Sequence, residues 1–231
     1  MARRAIATTS AGVAWSLGYR DGNAVPLYGH LASVAAIARV TRVPLSVDIE
    51  AGYTDDEAEM ARTIARFIEA GAVGINIQDG AGTPDLLCRK IERTRETAER
   101  LGIRLYINAR TDVYARALAA ASDRVKEVLA RARQYRDAGA DGLFVLGVTD
   151  RTEIREIAKG TELLLNVIAW PGLPAAAELS ALGLSRISVR SWIPQTLWLQ
   201  TSTLVTNFLA DGRSEALFEH AAPYPEINAY F

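Results

Sequence analysis

Short apolar runs punctuate the chain, each followed by a polar loop and then by a longer stretch whose apolar residues recur at helical spacing. The runs Ala5–Thr9, Pro44–Ile49, Val73–Ile77, Arg104–Ala109, Gly142–Leu146, Leu163–Ile168 and Arg186–Val189 carry few charges, which predicts strands covered on both faces. Between them, Asp55–Ala70 opens with acidic residues suited to a helix N-terminus and places Met60, Ile64, Phe67 and Ile68 on one stripe. Thr83–Leu101 and Ser122–Ala138 show the same division into an apolar stripe and an Arg/Glu face. Gly71, Gly102, Gly139 and Gly183 stand where helices stop. Ala-Gly-Ala recurs at 70–72 and 138–140, each time leading into a strand, as a tight αβ turn requires. Strict βα alternation predicts a parallel sheet with helices outside, and at this length a (β/α)8 TIM barrel. An open Rossmann sheet would need Gly-x-Gly-x-x-Gly after the first strand, and none is there. The strand count falls one short of eight, so the expectation is one domain over 1–231 that lacks the first βα unit and ends in a helical segment, 192–231.

Composition narrows the classes. The 231 residues include 26 Lys+Arg and 27 Asp+Glu, a net charge of −1, so no basic surface is available to hold nucleic acid. A hydrophobic fraction of 49% excludes a disordered chain. Charges interrupt every apolar stretch before it reaches the length of a membrane span. Met1-Ala-Arg-Arg leads into no long apolar core and makes a poor signal peptide. The single cysteine, Cys88, rules out an intrachain disulfide and a cysteine-type zinc site, and a cytoplasmic location is expected.

Barrel chemistry collects at the C-terminal ends of the strands. The second run ends in Asp48-Ile-Glu50, the third in Asn76-Ile-Gln78-Asp79 and the fourth in Asn108-Ala-Arg110-Thr-Asp112. Side chains alternate along a strand, so each of these sets shares a face. If those faces line the barrel mouth, carboxylates, amides and a guanidinium converge. An oxygen-only donor set suits Mg²⁺ or Mn²⁺ held partly through water. Arg110 offers a fork for a substrate anion, although pairing with Asp112 is an equal reading of the same spacing. The backbone amides of Thr9–Gly12 (Thr9, Ser10, Ala11, Gly12) suit a second anionic group. Asp79-Gly is a turn signal, and His30 and His220 read as packing or surface residues. Cys88 reads as an inert, buried thiol, and Trp170 as a wall of the pocket.

Four ordered segments resemble the isocitrate lyase/phosphoenolpyruvate mutase superfamily. They are Ala-Thr-Thr-Ser-Ala-Gly-Val-Ala-Trp-Ser-Leu-Gly-Tyr-Arg-Asp-Gly, Val-Pro-Leu-Ser-Val-Asp-Ile-Glu-Ala-Gly-Tyr, Gly-Ile-Asn-Ile-Gln-Asp-Gly and Ile-Asn-Ala-Arg-Thr-Asp-Val-Tyr. The closest likeness is to small bacterial members described as carboxyvinyl-carboxyphosphonate phosphorylmutase-like or 2-methylisocitrate lyase-like. The resemblance implies a TIM barrel whose Mg²⁺ site takes a 2-oxo acid or its enolate. It implies Asp48 as direct metal ligand and Asp21, Glu50 and Gln78 as holders of metal-bound water. It also implies Arg110 on the distal anion and the Thr9/Ser10 segment on the 2-oxo carboxylate. Asn108, Asn166, Trp170 and Arg190 complete the substrate-binding set, and Tyr19 and Tyr53 stand as acid candidates. A homodimer or homotetramer that exchanges C-terminal helices follows from the same likeness. Gln78 departs from the Glu usual in the family, and Gln78-Asp-Gly-Ala-Gly-Thr-Pro leads at once into a helix with no Cys, His or Lys of a catalytic loop. The expected function is Mg²⁺-dependent C–C cleavage of a small 2-oxo or 2-hydroxy carboxylic acid by lyase, decarboxylase or hydrolase action. The alternative is a diverged barrel that binds a ligand, serves as a scaffold or takes another substrate.

Overall fold

The computed structural model describes residues 5–231, so Met1–Arg4, on which the signal-peptide reading rests, lies outside the described residues. Seven strands form one all-parallel sheet in strictly sequential order. They are β1 (Ile6–Ala7), β2 (Leu45–Asp48), β3 (Gly74–Gln78), β4 (Tyr106–Thr111), β5 (Gly142–Val145), β6 (Leu164–Ile168) and β7 (Arg186–Ser188). Each expected strand is present, with ends moved by up to two residues, because ladder partners rather than local composition set where pairing stops. The helices of this barrel unit are α1 (Ser10–Ser16), α2 (Leu27–Val40), α3 (Glu57–Glu69), α4 (Pro84–Arg100), α5 (Arg124–Asp137), α6 (Arg151–Gly160) and α7 (Ala176–Ala181). The segment expected as a helix from Ser122 begins instead with a 3-10 turn at Ala121–Asp123.

The sheet curls. Tyr106 on β4 hydrogen-bonds to Arg186 on β7, three strands further along the sheet. A cavity of about 380 Å³ at the N-terminal end of the strands is lined jointly by Ala5, Ser46, Gly74, Tyr106, Leu164 and Arg186. Among the described residues β1 and β7 form no ladder, so the curl stops short of a closed ring.

The two faces of the sheet differ chemically. Leu45, Val47, Ile75, Ile77, Ile107, Ala109, Leu143, Val145, Leu165 and Val167 face the helices and belong to the main core. The alternate positions face inward: Asp48, Asn76, Gln78, Asn108, Arg110 and Asn166. Phe144, Leu146 and Ile168 form a small separate apolar cluster.

The helix-to-strand turns follow the expected pattern. Ala72 N–H donates to Phe67 O at 3.0 Å and Ala140 N–H to Tyr135 O at 2.9 Å, the same closing bond in both Ala-Gly-Ala turns. Gly71 is at φ 107°, and a Cβ there would lie 2.6 Å from that of Ala38, so no other residue fits. Asp56 caps α3 by accepting from Glu59 N–H at 2.7 Å.

Asp79, which the sequence offers only as a turn residue, is a buried anchor. Its carboxylate accepts from Asp112 N–H at 2.9 Å, Arg131 Nη1 at 2.7 Å and the Tyr135 hydroxyl at 2.7 Å. These bonds tie the end of β3 to β4 and α5.

The chain divides into two compact units, the second being Val189–Phe231. That unit contains α8 (Trp192–Asp211), α9 (Glu215–Phe218) and α10 (Tyr224–Asn228), and no residue of its three helices is buried. Among the described residues no helix is long and apolar enough to cross a membrane.

Removing one partner from a buried ion pair strands the other, at roughly 3–5 kcal/mol. Asp79→Ala should therefore lower the urea-unfolding free energy by about that amount. Asp79→Asn, which keeps an acceptor, should lose less.

Candidate active site

Asp48, Glu50, Gln78 and Arg110 stand at the C-terminal ends of the adjacent strands β2, β3 and β4. Asp48 closes β2. Its backbone N–H donates to Thr8 Oγ1 at 3.0 Å, and its carboxylate accepts from the backbone N–H of Glu50 at 3.1 Å and from that of Ser10. Glu50 is buried, and its Oε2 accepts from Asn23 N–H at 2.7 Å. Burial raises the pKa of Asp48, opposed by Arg110 and by those two amides, with a further upward push from Asp21. Burial likewise raises that of Glu50, and Asp21 and Asp48 add to the rise. The mouth thus concentrates negative charge that its own cation, Arg110, does not cancel. Asp21 contributes from an exposed turn.

Arg110 is engaged as the alternative reading of its spacing anticipates. Nε donates to Asp112 Oδ1 at 2.7 Å and Nη2 to Oδ2 at 3.1 Å. Asp112 also accepts from Arg116 Nε at 3.1 Å. A guanidinium has a second fork at its Nη1/Nη2 end, and pairing with Asp112 leaves that end available. The partner fixes the orientation of Arg110 without using all of its donors.

The inward amides are paired along the sheet. Asn108 Nδ2 donates to Asn76 Oδ1 at 2.8 Å, and Asn166 exchanges hydrogen bonds with Ser188 Oγ at 3.1 and 3.2 Å. Asn108 Oδ1 is buried without a partner. Gln78 ends β3, partly exposed, beside a cleft of about 280 Å³ that also includes Lys90 and Arg116.

Other expected residues lie differently. Thr9–Gly12 is the start of a helix rather than a loop: Thr9 is the cap of α1, and the Ser10 amide is spent on Asp48. Tyr19 is exposed after α1. The Tyr53 hydroxyl is 2.5 Å from His30 Nδ1, and the Tyr53 ring packs beside Phe67 of α3 with centroids 6.3 Å apart. Trp170 is exposed after β6. Arg190 belongs to the second unit, where its guanidinium lies 5.7 Å from the Trp192 ring. The Cys88 thiol is pushed by burial up to about 11, in keeping with an inert role. Sequence reading missed His30 as a buried partner and Asp79 as an anchor, since neither has a local signature.

Among the described residues no three His, Cys, Asp or Glu side chains group closely enough to ligate one ion directly. A hard, oxygen-only set fits the case in which one carboxylate binds directly and the others bind through water, the usual habit of Mg²⁺. The raised, mutually repelling Asp48 and Glu50 are the electrostatic counterpart of such a site.

A family model described as Phosphoenolpyruvate phosphomutase matches residues 2–208. An uncharacterised protein of Mycobacterium tuberculosis is 33% identical over 229 residues, covering 97% of this chain and 83% of that protein. The 2-methylisocitrate lyase of Escherichia coli K12 is 31% identical over 181 residues, covering 74% of this chain and 60% of that enzyme. A solved structure from Burkholderia cenocepacia J2315, provisionally assigned as a phosphonomutase, superposes with a TM-score of 0.83 at 36% identity, covering 88% of this chain and 85% of that one.

One pH dependence follows from the burial of His30. Burial pushes its pKa down to about 4 from 6.5. Between those values the unfolded chain binds a proton that the folded chain refuses, so stability is full above pH 6.5 and falls as pH drops toward 4. Wild type should lose roughly 3 kcal/mol more than His30→Asn over that window, measured by urea titration at each pH.

Proposed function

We propose, for a chain that belongs to the isocitrate lyase/phosphoenolpyruvate mutase superfamily, that it is a Mg²⁺- or Mn²⁺-dependent enzyme cleaving a C–C bond in a small 2-oxo or 2-hydroxy carboxylic acid. The observation that carries this reading is the pair Asp48, half-buried, and Glu50, buried, both raised in pKa by desolvation and set at the mouth of a barrel whose inner face carries paired amides. The likeness to a 2-methylisocitrate lyase supports the substrate class.

In this reading Asp48 holds the cation directly, while Glu50, Asp21 and Gln78 hold it through water. When bound, the cation supplies Lewis acidity to the substrate's 2-oxo or 2-hydroxy oxygen. Arg110, steered by Asp112, presents its remaining fork to the substrate's distal carboxylate. Thr9 and Ser10 border the proximal carboxylate at the end of β1. Asn108 Oδ1, unpartnered and buried, is an acceptor for a substrate hydroxyl. Tyr19, exposed after α1, is the acid candidate that solvent can reach. Cys88 as a free thiol suits a reducing, cytoplasmic setting.

We further infer that a second copy of this chain covers the C-terminal unit. On α8, Ile193, Trp198, Leu199 and Leu209 are each more than half exposed, an apolar load that water does not favour.

Two tests decide these readings. Purified protein with Mg²⁺ should turn over at least one of oxaloacetate, 2-methylisocitrate and phosphonopyruvate. Asp48→Asn should abolish that turnover and weaken Mn²⁺ binding. Because burial disfavours the charged form of Asp48 in the metal-free fold, the same variant, which carries no charge to desolvate, should melt at a higher temperature than metal-free wild type. An inactive wild type that binds no Mn²⁺ ends the reading. For assembly, light scattering should give twice the monomer mass or more, and Trp198→Glu with Leu199→Glu should reduce it to the monomer; a monomeric wild type refutes helix-mediated assembly.

A further inference from the structure

The loop between β2 and α3 is bent against its own sequence. Glu50 and Tyr53 both adopt left-handed backbone angles, φ 53° and 67°, with Gly52 between them at φ 90°. Each non-glycine residue in such a region costs about 1–3 kcal/mol and persists only where surrounding contacts hold it. Two helices supply those contacts. Lys90 of α4, itself buried, donates to Ala51 O at 2.7 Å and to Asp55 Oδ1 at 2.6 Å. His30 of α2, 2% exposed, meets the Tyr53 hydroxyl through Nδ1 at 2.5 Å. Its ring stands edge-on to Phe67, with centroids 5.0 Å apart.

The other ring nitrogen decides the direction of that bond. His30 Nε2 is buried with no hydrogen-bond partner. A buried N–H left unpaired is rarer than an unpaired acceptor, so the pairing assigns the proton to Nδ1. His30 then donates to Tyr53, and the tyrosine oxygen is fixed as the acceptor.

The loop held in this way carries the site. Glu50 N–H donates to Asp48 Oδ1, Glu50 O accepts from Gln78 N–H at 2.9 Å, and Glu50 Oε2 accepts from Asn23 N–H. All three bonds meet at Glu50, so its backbone conformation bears on each of them.

We propose that His30 is a positioning residue for Asp48 and Glu50, acting through Tyr53 to lock the left-handed loop that aims both carboxylates at the barrel mouth. This rests on the reading of Asp48 and Glu50 as the cation-binding pair.

The experiment compares His30→Leu, Tyr53→Phe, the double variant and His30→Asn, whose amide nitrogen stands near the Nδ1 position. Two quantities are read: hydrogen exchange at the Glu50 and Gln78 amides in metal-free protein, and Mn²⁺ affinity by electron paramagnetic resonance. His30→Leu and Tyr53→Phe should exchange faster at both amides and bind Mn²⁺ about tenfold more weakly, as for loss of a group behind a metal ligand. The double variant should be no worse than either single one, and His30→Asn should approach wild type. Wild-type exchange and affinity in both single variants overturn the proposal, as does a His30→Asn variant as impaired as His30→Leu. Tyr53→Phe removes a single oxygen and keeps the test decisive if His30→Leu does not fold. A wild type that binds no Mn²⁺ overturns the cation reading instead, and the exchange comparison alone then decides whether His30 sets the loop.

Discussion

A strand whose one face is sealed under helices has only its other face left for chemistry, and this constraint orders the whole barrel unit. Val47, Ile77, Ala109, Leu143 and Val167 are fully buried against the helices. Their neighbours must then turn inward, where water is scarce and polar groups need partners. Most find them within the curl: Asn76 with Asn108, Asn166 with Ser188, Tyr106 with Arg186. Asp48 and Glu50 find only part of what they need, in backbone amides, and burial works against their ionisation. The same alternation that builds the core therefore creates the unpaid electrostatic tension at the mouth. Gln78 moderates it, since an amide at the end of β3 avoids adding a further carboxylate to a site already strained by like charges.

What could be read from the sequence was what is local. Strand spacing, helix stripes and the two Ala-Gly-Ala turns depend on residues within a few positions of each other, and the fold reproduces them down to the matching bonds at Ala72 and Ala140. The face shared by Asp48 and Glu50, and that shared by Arg110 and Asp112, follow from period-two alternation alone. Asp79 was opaque because its partners Arg131 and Tyr135 lie 52 and 56 positions away and reach it only once α5 has docked. His30 was opaque for a like reason, being 23 positions from Tyr53. The left-handed angle at Glu50 leaves no trace in the sequence, because a glutamate gives no local hint of φ 53°. The Thr9–Gly12 amides, which the sequence offers to an anion, open α1 instead, and small residues give no local sign of which role they take.

Arg110 shows how a structural contact and a functional one coexist. The bond to Asp112 uses one edge of a planar group and thereby fixes the direction of the other edge. Asp112 is in turn held through its backbone by Asp79, which α5 grips through Arg131 and Tyr135. The orientation of a mouth residue thus traces back to a buried carboxylate in the helix layer. A site built this way tolerates little rearrangement of α5.

The sequential order of the sheet also has a meaning in time. Each strand pairs with the one made just before it, from β1 to β7. As the chain leaves the ribosome, every new βα unit finds its docking edge already formed, and no strand has to wait for a distant partner. The most recent strand is always the open one, so the nascent protein carries a single moving edge, and any pause in synthesis exposes whichever strand happens to stand there.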